Sequence, residues 1–312
     1  MVLVLSELLE DLDALAHDAQ LAEPEGLKKL RTGKLESRAG GAGSYFTTLD
    51  IAHGMLRDLA MYIIYPTLKQ HRERMQPETT RVMIDSMYPQ LFNFLGYSGF
   101  EDLKRVGAGV VALAPQLDAG QLDQLLTALL RYVNMLYSWA YHTFPWDLGD
   151  QLRYEAGAPE KDLPPVQDTL TPTETLIKLR WEPLGIEVRA FLATEGNSRL
   201  CRELLEAMPF RSLQTHAMVA GQSLMAFTPL TSSAPTPYKE ELLKAPAGRL
   251  RFNAGTGQKF IVQYGRTTEN IMAPVIGSVL AEDVAKLAAV GAAVWESTYR
   301  TKEEIWLTVE RL

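Results

Sequence analysis

Pro159-Glu160-Lys161-Asp162-Leu163-Pro164-Pro165, followed by Pro172 and then Ile177-Lys178-Leu179-Arg180-Trp181, is the stretch on which the fold turns. Proline has no N–H to give a helix and its ring clashes with the preceding turn, so four prolines between residues 156 and 172 read as an interdomain connection. Directly after them apolar and charged side chains alternate, which is the period of a half-buried strand. The boundary therefore separates two kinds of chain, with domains expected at 1–160 and 173–312. A length of 312 residues agrees, because one hydrophobic core typically serves about 100–150 residues.

Upstream, apolar residues recur every three to four positions. Leu5, Leu8, Leu9, Leu12 and Leu15 give a first amphipathic helix that ends before Glu23-Pro24. Residues 26–44 mix basic side chains with the glycine-dense Arg38-Ala39-Gly40-Gly41-Ala42-Gly43 and read as a loop, either a plain linker or a segment that closes over something. Helical spacing returns over Leu49–Arg74, with Pro66 expected to kink or restart the helix, and continues over 78–95, 100–114 and Gly120 to His142. Helices of this number joined by short turns predict an antiparallel bundle.

Downstream, Ile186, Val188 and Ala190 alternate with Glu187 and Arg189 and pair with 177–181 as a hairpin around Glu182-Pro183-Leu184-Gly185. A short helix over 199–207, capped by Asn197 or Ser198, stops at Pro209. Strands are expected at 212–219, 249–252, 259–264, 275–280 and 305–309, with a helix at 282–295 and an irregular region over 228–246. Antiparallel strands with two helices suit a closed barrel capped by helices, so the fold class is α+β, a helical bundle followed by a barrel.

The net charge of −7 falls entirely on residues 1–165, which hold 15 Lys and Arg against 22 Asp and Glu, while 166–312 balance at 16 each. Without a basic stripe, nucleic acid is an unsuitable partner. The single cysteine, Cys201, excludes an intrachain disulfide and reads as a buried structural thiol. The short apolar start runs at once into acidic residues, no apolar run reaches the ~18–20 residues of a membrane span, and a cytoplasmic setting is expected. A homo-oligomer is left open.

The usual fingerprints of nucleotide, zinc and hydrolase chemistry are missing, and the five histidines are not spaced as metal ligands, so no metal is expected. The richest stretch is Trp139-Ala140-Tyr141-His142-Thr143-Phe144-Pro145-Trp146-Asp147-Leu148-Gly149. Aromatic faces, an imidazole and a carboxylate at a helix end could confine a flat ligand and move a proton, with the crevice beside the domain switch as the expected place. The alternative is an aromatic plug that closes the bundle end. His53 reads as a core or interface histidine, and His216 as a pocket residue if the inner strand face lines a cavity. In Tyr264-Gly265-Arg266-Thr267-Thr268-Glu269, Arg266 could clamp a carboxylate in its planar fork, or form a solvated ion pair in a surface loop.

Residues 173–312 resemble the bacterial cyclophilin-like domain family. The likeness rests on Arg202-Glu203-Leu204-Leu205-Glu206-Ala207-Met208-Pro209-Phe210, Gly248-Arg249-Leu250-Arg251-Phe252, Phe260-Ile261-Val262-Gln263-Tyr264-Gly265-Arg266-Thr267-Thr268 and Val275-Ile276-Gly277-Ser278-Val279. Pairing such a barrel with a helical bundle is similar to the cucumopine synthases, opine-forming members of that group, with the bundle here placed first. The resemblance implies a closed barrel and a cofactor-independent Pictet-Spengler-type condensation of an amino acid, such as histidine, with a 2-oxo acid. For that chemistry His142 and Asp147 are the expected acid/base pair. Arg266 would anchor the oxo acid, and Trp139, Trp146 and Tyr264 would form walls, with His216, His53 and Glu269 as further binding candidates. A non-catalytic metabolite-binding protein and a peptidyl-prolyl isomerase are the competing classes, since fold alone does not fix function.

Overall fold

A computed structural model describes residues 4–36, 46–146 and 164–312. The chain divides into two compact units, with the division after Phe144. The glycine-dense Arg38–Gly43 and the segment from Asp147 to Leu163 lie outside the described residues.

The first unit is a helical bundle. Helix α1 (Leu5–Leu21) buries Leu8, Leu12, Ala16 and Ala19 along one stripe. Part of the stretch expected as loop is instead helix α2 (Glu25–Arg31), because Leu27 and Leu30 reach the core while Lys28, Lys29 and Arg31 stay outside. Helix α3 (Leu49–Asp58) starts where the Thr48 hydroxyl accepts from the Ile51 N–H. It widens into a π turn over Leu59–Ile64 before α4 (Tyr65–Glu73). Pro66 has no N–H to offer the preceding turn, and the wider turn takes the place of the expected break. Helices α5 (Pro77–Tyr97) and α6 (Glu101–Leu113) follow.

The longest helix, α7 (Ala119–Thr143), begins on a reciprocal cap. The Gln121 N–H donates to Asp118 Oδ1 at 2.8 Å and the Asp118 N–H to Gln121 Oε1 at 3.0 Å, so two otherwise orphaned donors are satisfied. From Ala128 onward it is buried nearly all round, with Leu129, Leu130, Val133, Leu136 and Ala140 all enclosed. A helix buried on every side is a central one, and α1, α3, α4 and the π turn pack around it.

The second unit is a closed antiparallel barrel. Its strands are β1 (Leu176–Glu182), β2 (Ile186–Leu192), β3 (Phe210–His216), β4 (Ser223–Phe227), β5 (Lys239–Glu241), β6 (Arg249–Asn253), β7 (Lys259–Gln263), β8 (Met272–Val279) and β9 (Trp306–Arg311). Around the barrel they run β2-β1-β9-β3-β4-β7-β6-β8, and β8 returns to β2 through Ala190↔Val279, Phe191↔Ser278 and Leu192↔Gly277. Strand β5 adds to β8 outside the ring. At the β2–β8 seam a Cβ on Gly277 would fall 2.0 Å from the Phe191 carbonyl oxygen, so only glycine lets the two backbones meet.

Alternate residues fill the barrel: Ile177, Leu179 and Trp181 from β1, Val188 and Ala190 from β2, Leu224 and Ala226 from β4, and Phe260 and Val262 from β7. Leu200, Cys201 and Leu204 of α8 (Ser198–Glu206) join this core, as do Leu287, Val290 and Val294 of α9 (Leu287–Glu296). A large apolar side chain contributes about 1.5–3 kcal/mol on full burial. Burial pushes the Cys201 thiol up to about 11, as its structural role requires. The expected side-chain cap of α8 is not formed. Asn197 turns away from the helix: its Nδ2 donates to the carbonyls of Tyr238 (2.8 Å) and Val275 (2.7 Å), and its Oδ1 accepts from the Tyr238 N–H. The asparagine ties the segment before β5 to β8 instead.

Candidate functional site

Two polar clusters stand out in the barrel unit, one inside the ring and one on its outer face. Inside, β3 presents Phe210, Ser212, Gln214 and His216 on one side, because Gln214 and His216 pair across from the core residues Ala226 and Leu224. Trp181 Nε1–H donates to Gln214 Oε1 at 2.8 Å, and Gln214 Nε2 donates to the Met225 carbonyl at 2.8 Å. His216 Nδ1 lies 2.7 Å from the Ala217 carbonyl oxygen and Nε2 lies 2.9 Å from the Tyr264 hydroxyl. A carbonyl only accepts, so Nδ1 carries the proton and Nε2 accepts from the phenol. Burial pushes the imidazole down to about 4, and it is neutral at ordinary pH. Tyr299 donates its hydroxyl to the His216 carbonyl, and Gly291 of α9 lies so close that a Cβ would sit 2.3 Å from the Tyr264 ring. His216 and Tyr264, expected as pocket residues, thus meet each other in the core with both imidazole nitrogens engaged.

On the outer face, the segment leading into β1 runs along the barrel. Arg249, fully buried on β6, donates from Nε to Glu240 Oε2 at 2.7 Å and from Nη2 to Asp168 Oδ1 at 2.8 Å. Glu240 also accepts from the Tyr238 hydroxyl and from Thr169 Oγ1, each at 3.0 Å. Partial burial opposes ionisation of the Asp168 carboxyl, but Arg249 and the Leu170 N–H together outweigh it and hold the group below its ordinary range. Beside this network lie a cleft of about 460 Å³, lined by Thr169–Thr173, Ala193, Glu195, Gly196 and Tyr238, and a second of about 290 Å³ that shares Thr169 and Tyr238. Two residues beyond Arg249 stands Arg251, 1% exposed, whose Nε, Nη1 and Nη2 all lack a hydrogen-bond partner. Burial pushes its guanidinium down to about 10, opposed by the field of Glu240.

Arg266, expected as a carboxylate clamp, donates from Nη2 to the Pro164 carbonyl at 3.0 Å, and its backbone N–H donates to Gln222 Oε1 at 2.8 Å. Glu269 is half-buried in the loop that follows. In the bundle unit, His53 of α3 is surrounded by rings, with centroids 4.8 Å from Phe144, 5.5 Å from Tyr137 and 6.2 Å from Tyr141. Trp139 donates Nε1–H to the Ala19 carbonyl at 2.6 Å, tying α7 to α1, and meets His142 edge to face at 6.4 Å. Trp146 is half-buried, and Asp147 lies outside the described residues.

Sequence does not single out the outer network of Asp168, Tyr238, Glu240, Arg249 and Arg251 as a site. Arg249-Leu250-Arg251-Phe252 alternates charge with apolar residues, which ordinarily means a wet outer face. The one available signal is the pairing of two arginines with apolar rather than acidic neighbours on one strand.

Residues 5–143 match the family model described as the cucumopine synthase C-terminal helical bundle domain. In this chain that bundle stands ahead of the barrel. No curated protein matches the sequence. Among solved structures, 43% of the chain aligns with 44% of McbB, determined in complex with tryptophan, at 36% identity and a TM-score of 0.39. The chain thus spans under half the length of that protein. The solution structure of the hypothetical protein AF2241 from Archaeoglobus fulgidus aligns in full with 46% of this chain, at 13% identity and a TM-score of 0.32.

Proposed function

We propose that the protein is a Pictet-Spengler-type condensing enzyme that joins an amino acid, such as histidine, to a 2-oxo acid without a cofactor. The observation that carries the reading is the match of residues 5–143 to the cucumopine synthase bundle in a chain whose second unit is a closed barrel with helices. The substrate amine adds to the oxo carbon and water leaves, giving an imine. A nucleophilic carbon of the amino acid's ring then bonds to the imine carbon, and the same ring carbon loses its proton to restore aromaticity. The product equals the two substrates less one water.

Such chemistry needs a group that accepts and returns protons, a cation for the oxo-acid carboxylate, and walls that hold the imine near its attacking carbon. On this reading His142 and Asp147 are the candidate proton carriers, Arg266 is a candidate carboxylate contact, and Trp139 and Trp146 are candidate walls. His53 and Glu269 are further binding candidates, whereas His216 and Tyr264 are spent on each other in the barrel core.

The test is mass spectrometry of purified protein incubated with pooled amino acids and 2-oxo acids. An adduct at the summed mass less water is expected in at least one combination, and its absence from all of them overturns the proposal. His142→Ala is expected to abolish the adduct while the melting temperature changes little. A large loss of stability would place His142 among the packing residues beside Trp139.

A further inference from the structure

Arg249 and Arg251 stand two residues apart on the same face of β6, both fully buried, and are treated oppositely by their surroundings. Arg249 has Glu240 and Asp168. Arg251 has no hydrogen bond from any of its three guanidinium nitrogens. Glu240 exerts its field on Arg251, yet its own oxygens are occupied by Arg249, Tyr238 and Thr169. The carboxylate that would complete Arg251 is therefore not supplied by its neighbour.

The residues directly across from Arg251 are apolar. Arg251 pairs across from Ile261 on β7 and from Val275 on β8, where a bulge between Leu250 and Arg251 shifts the register. Met225, which pairs with Ile261, continues the face on β4. Lys259, further along β7, is a second buried cation, seated 4.8 Å over the Phe227 ring. A buried guanidinium with all its N–H groups unused strongly favours an anion, and its planar fork matches the two oxygens of one carboxylate.

We propose that Arg251 is the anchor for the carboxylate of a small-molecule substrate, held by a two-point bond on the outer face of β6. If the condensation proposed above holds, that carboxylate belongs to the 2-oxo acid or to the amino acid. The reaction brings one from each, so beside Arg266, whose Nη2 donates to Pro164, a second cation has a carboxylate to meet. The anchor itself does not depend on that reaction, so its test reads binding and not turnover.

Calorimetric titrations of the full chain with pyruvate, 2-oxoglutarate, histidine, tryptophan and inorganic phosphate, each alone, decide the matter. Saturable binding of an oxo acid or an amino acid is expected, and whichever class binds identifies the source of the carboxylate. Arg251→Met should weaken it at least tenfold, and Arg251→Lys, which keeps the charge and loses the fork, should weaken it by a smaller factor. Without ligand, Arg251→Met should melt no lower than the parent, since it removes an uncompensated buried cation. Should the methionine variant fail to fold, the lysine variant at parental melting temperature carries the test. Unchanged binding in the folded variants overturns the anchor, as does a parent that binds no carboxylate or binds phosphate equally well. Binding without any condensation product would leave the anchor standing and remove the proposed reaction, while a product made equally by Arg251→Met would do the reverse.

Discussion

Two buried pairs in the barrel and one buried amide in the bundle are treated in opposite ways by their surroundings. In the barrel interior every polar side chain of the Trp181-Gln214 and His216-Tyr264 pairs meets a partner. At the heart of the bundle Asn134 on α7 is fully buried with neither its Oδ1 nor its Nδ2 hydrogen-bonded. A closed barrel leaves carbonyls and side chains from several strands within reach of one another, whereas an α-helix spends its backbone groups on itself and offers a buried amide little. Two glycines, one in each unit, form a second contrast, in close packing. At the barrel seam, Gly277 is demanded by the Phe191 backbone. In the bundle, Gly107 of α6 is demanded by a side chain, since a Cβ there would lie 2.4 Å from the Phe92 ring.

The strongest way to break this comparison is to add one methyl group on each side. Gly277→Ala drives a carbon into a carbonyl that cannot move without opening the seam, and a loss above about 3 kcal/mol is expected, whereas Gly107→Ala should cost about 1–3 kcal/mol because a ring can shift. Denaturant midpoints of the two variants check it, and equal losses would erase the distinction.

Acid provides the next largest effect, and it acts on the barrel. The ordinary imidazole takes a proton near 6.5, but folded His216 does so only near 4. Below pH 6.5 the unfolded chain therefore binds a proton that the folded chain refuses, so stability falls as pH falls, by up to about 1.4 kcal/mol per unit, until about pH 4. Urea midpoints between about pH 4.5 and 7.5 should show this slope, and His216→Gln should flatten it. The smallest change is a gain: Asn134→Leu, similar in shape, should stabilise the bundle by about 1–2 kcal/mol by removing an unpaired buried amide. A loss of stability there would mean that Asn134 finds a partner in solution.

The two halves also differ in how much of them sequence discloses. Helix α7 shows its period over the first turns and its length thereafter, and the β1–β2 hairpin is legible because apolar and charged residues alternate along it. Strand β4 is not legible: Ser223, Leu224, Met225, Ala226 and Phe227 are all buried, and a strand covered on both faces has no alternation to read. Strand β5 is three residues of Lys and Glu and exists through its pairing with β8 and its contact with Arg249. For the site, the aromatic stretch ending α7 is conspicuous by composition. The partnering that sets Arg249 apart from Arg251 depends in part on a carboxylate 81 positions away, which meets it only once the chain is folded.

Strand β9 has a consequence for how the protein is made. It lies between β1 and β3, pairing Leu179 with Val309 on one side and Phe210 with Val309 on the other. Every other strand can leave the ribosome and the ring will still have a gap one strand wide until Trp306–Arg311 emerges. The nascent chain must therefore carry unpaired edges on β1 and β3 through the synthesis of about 100 residues, at the usual pace some ~5–20 s. Unpaired edges of this kind recruit other chains, so chaperone demand and aggregation during expression should centre on the barrel and end when β9 arrives.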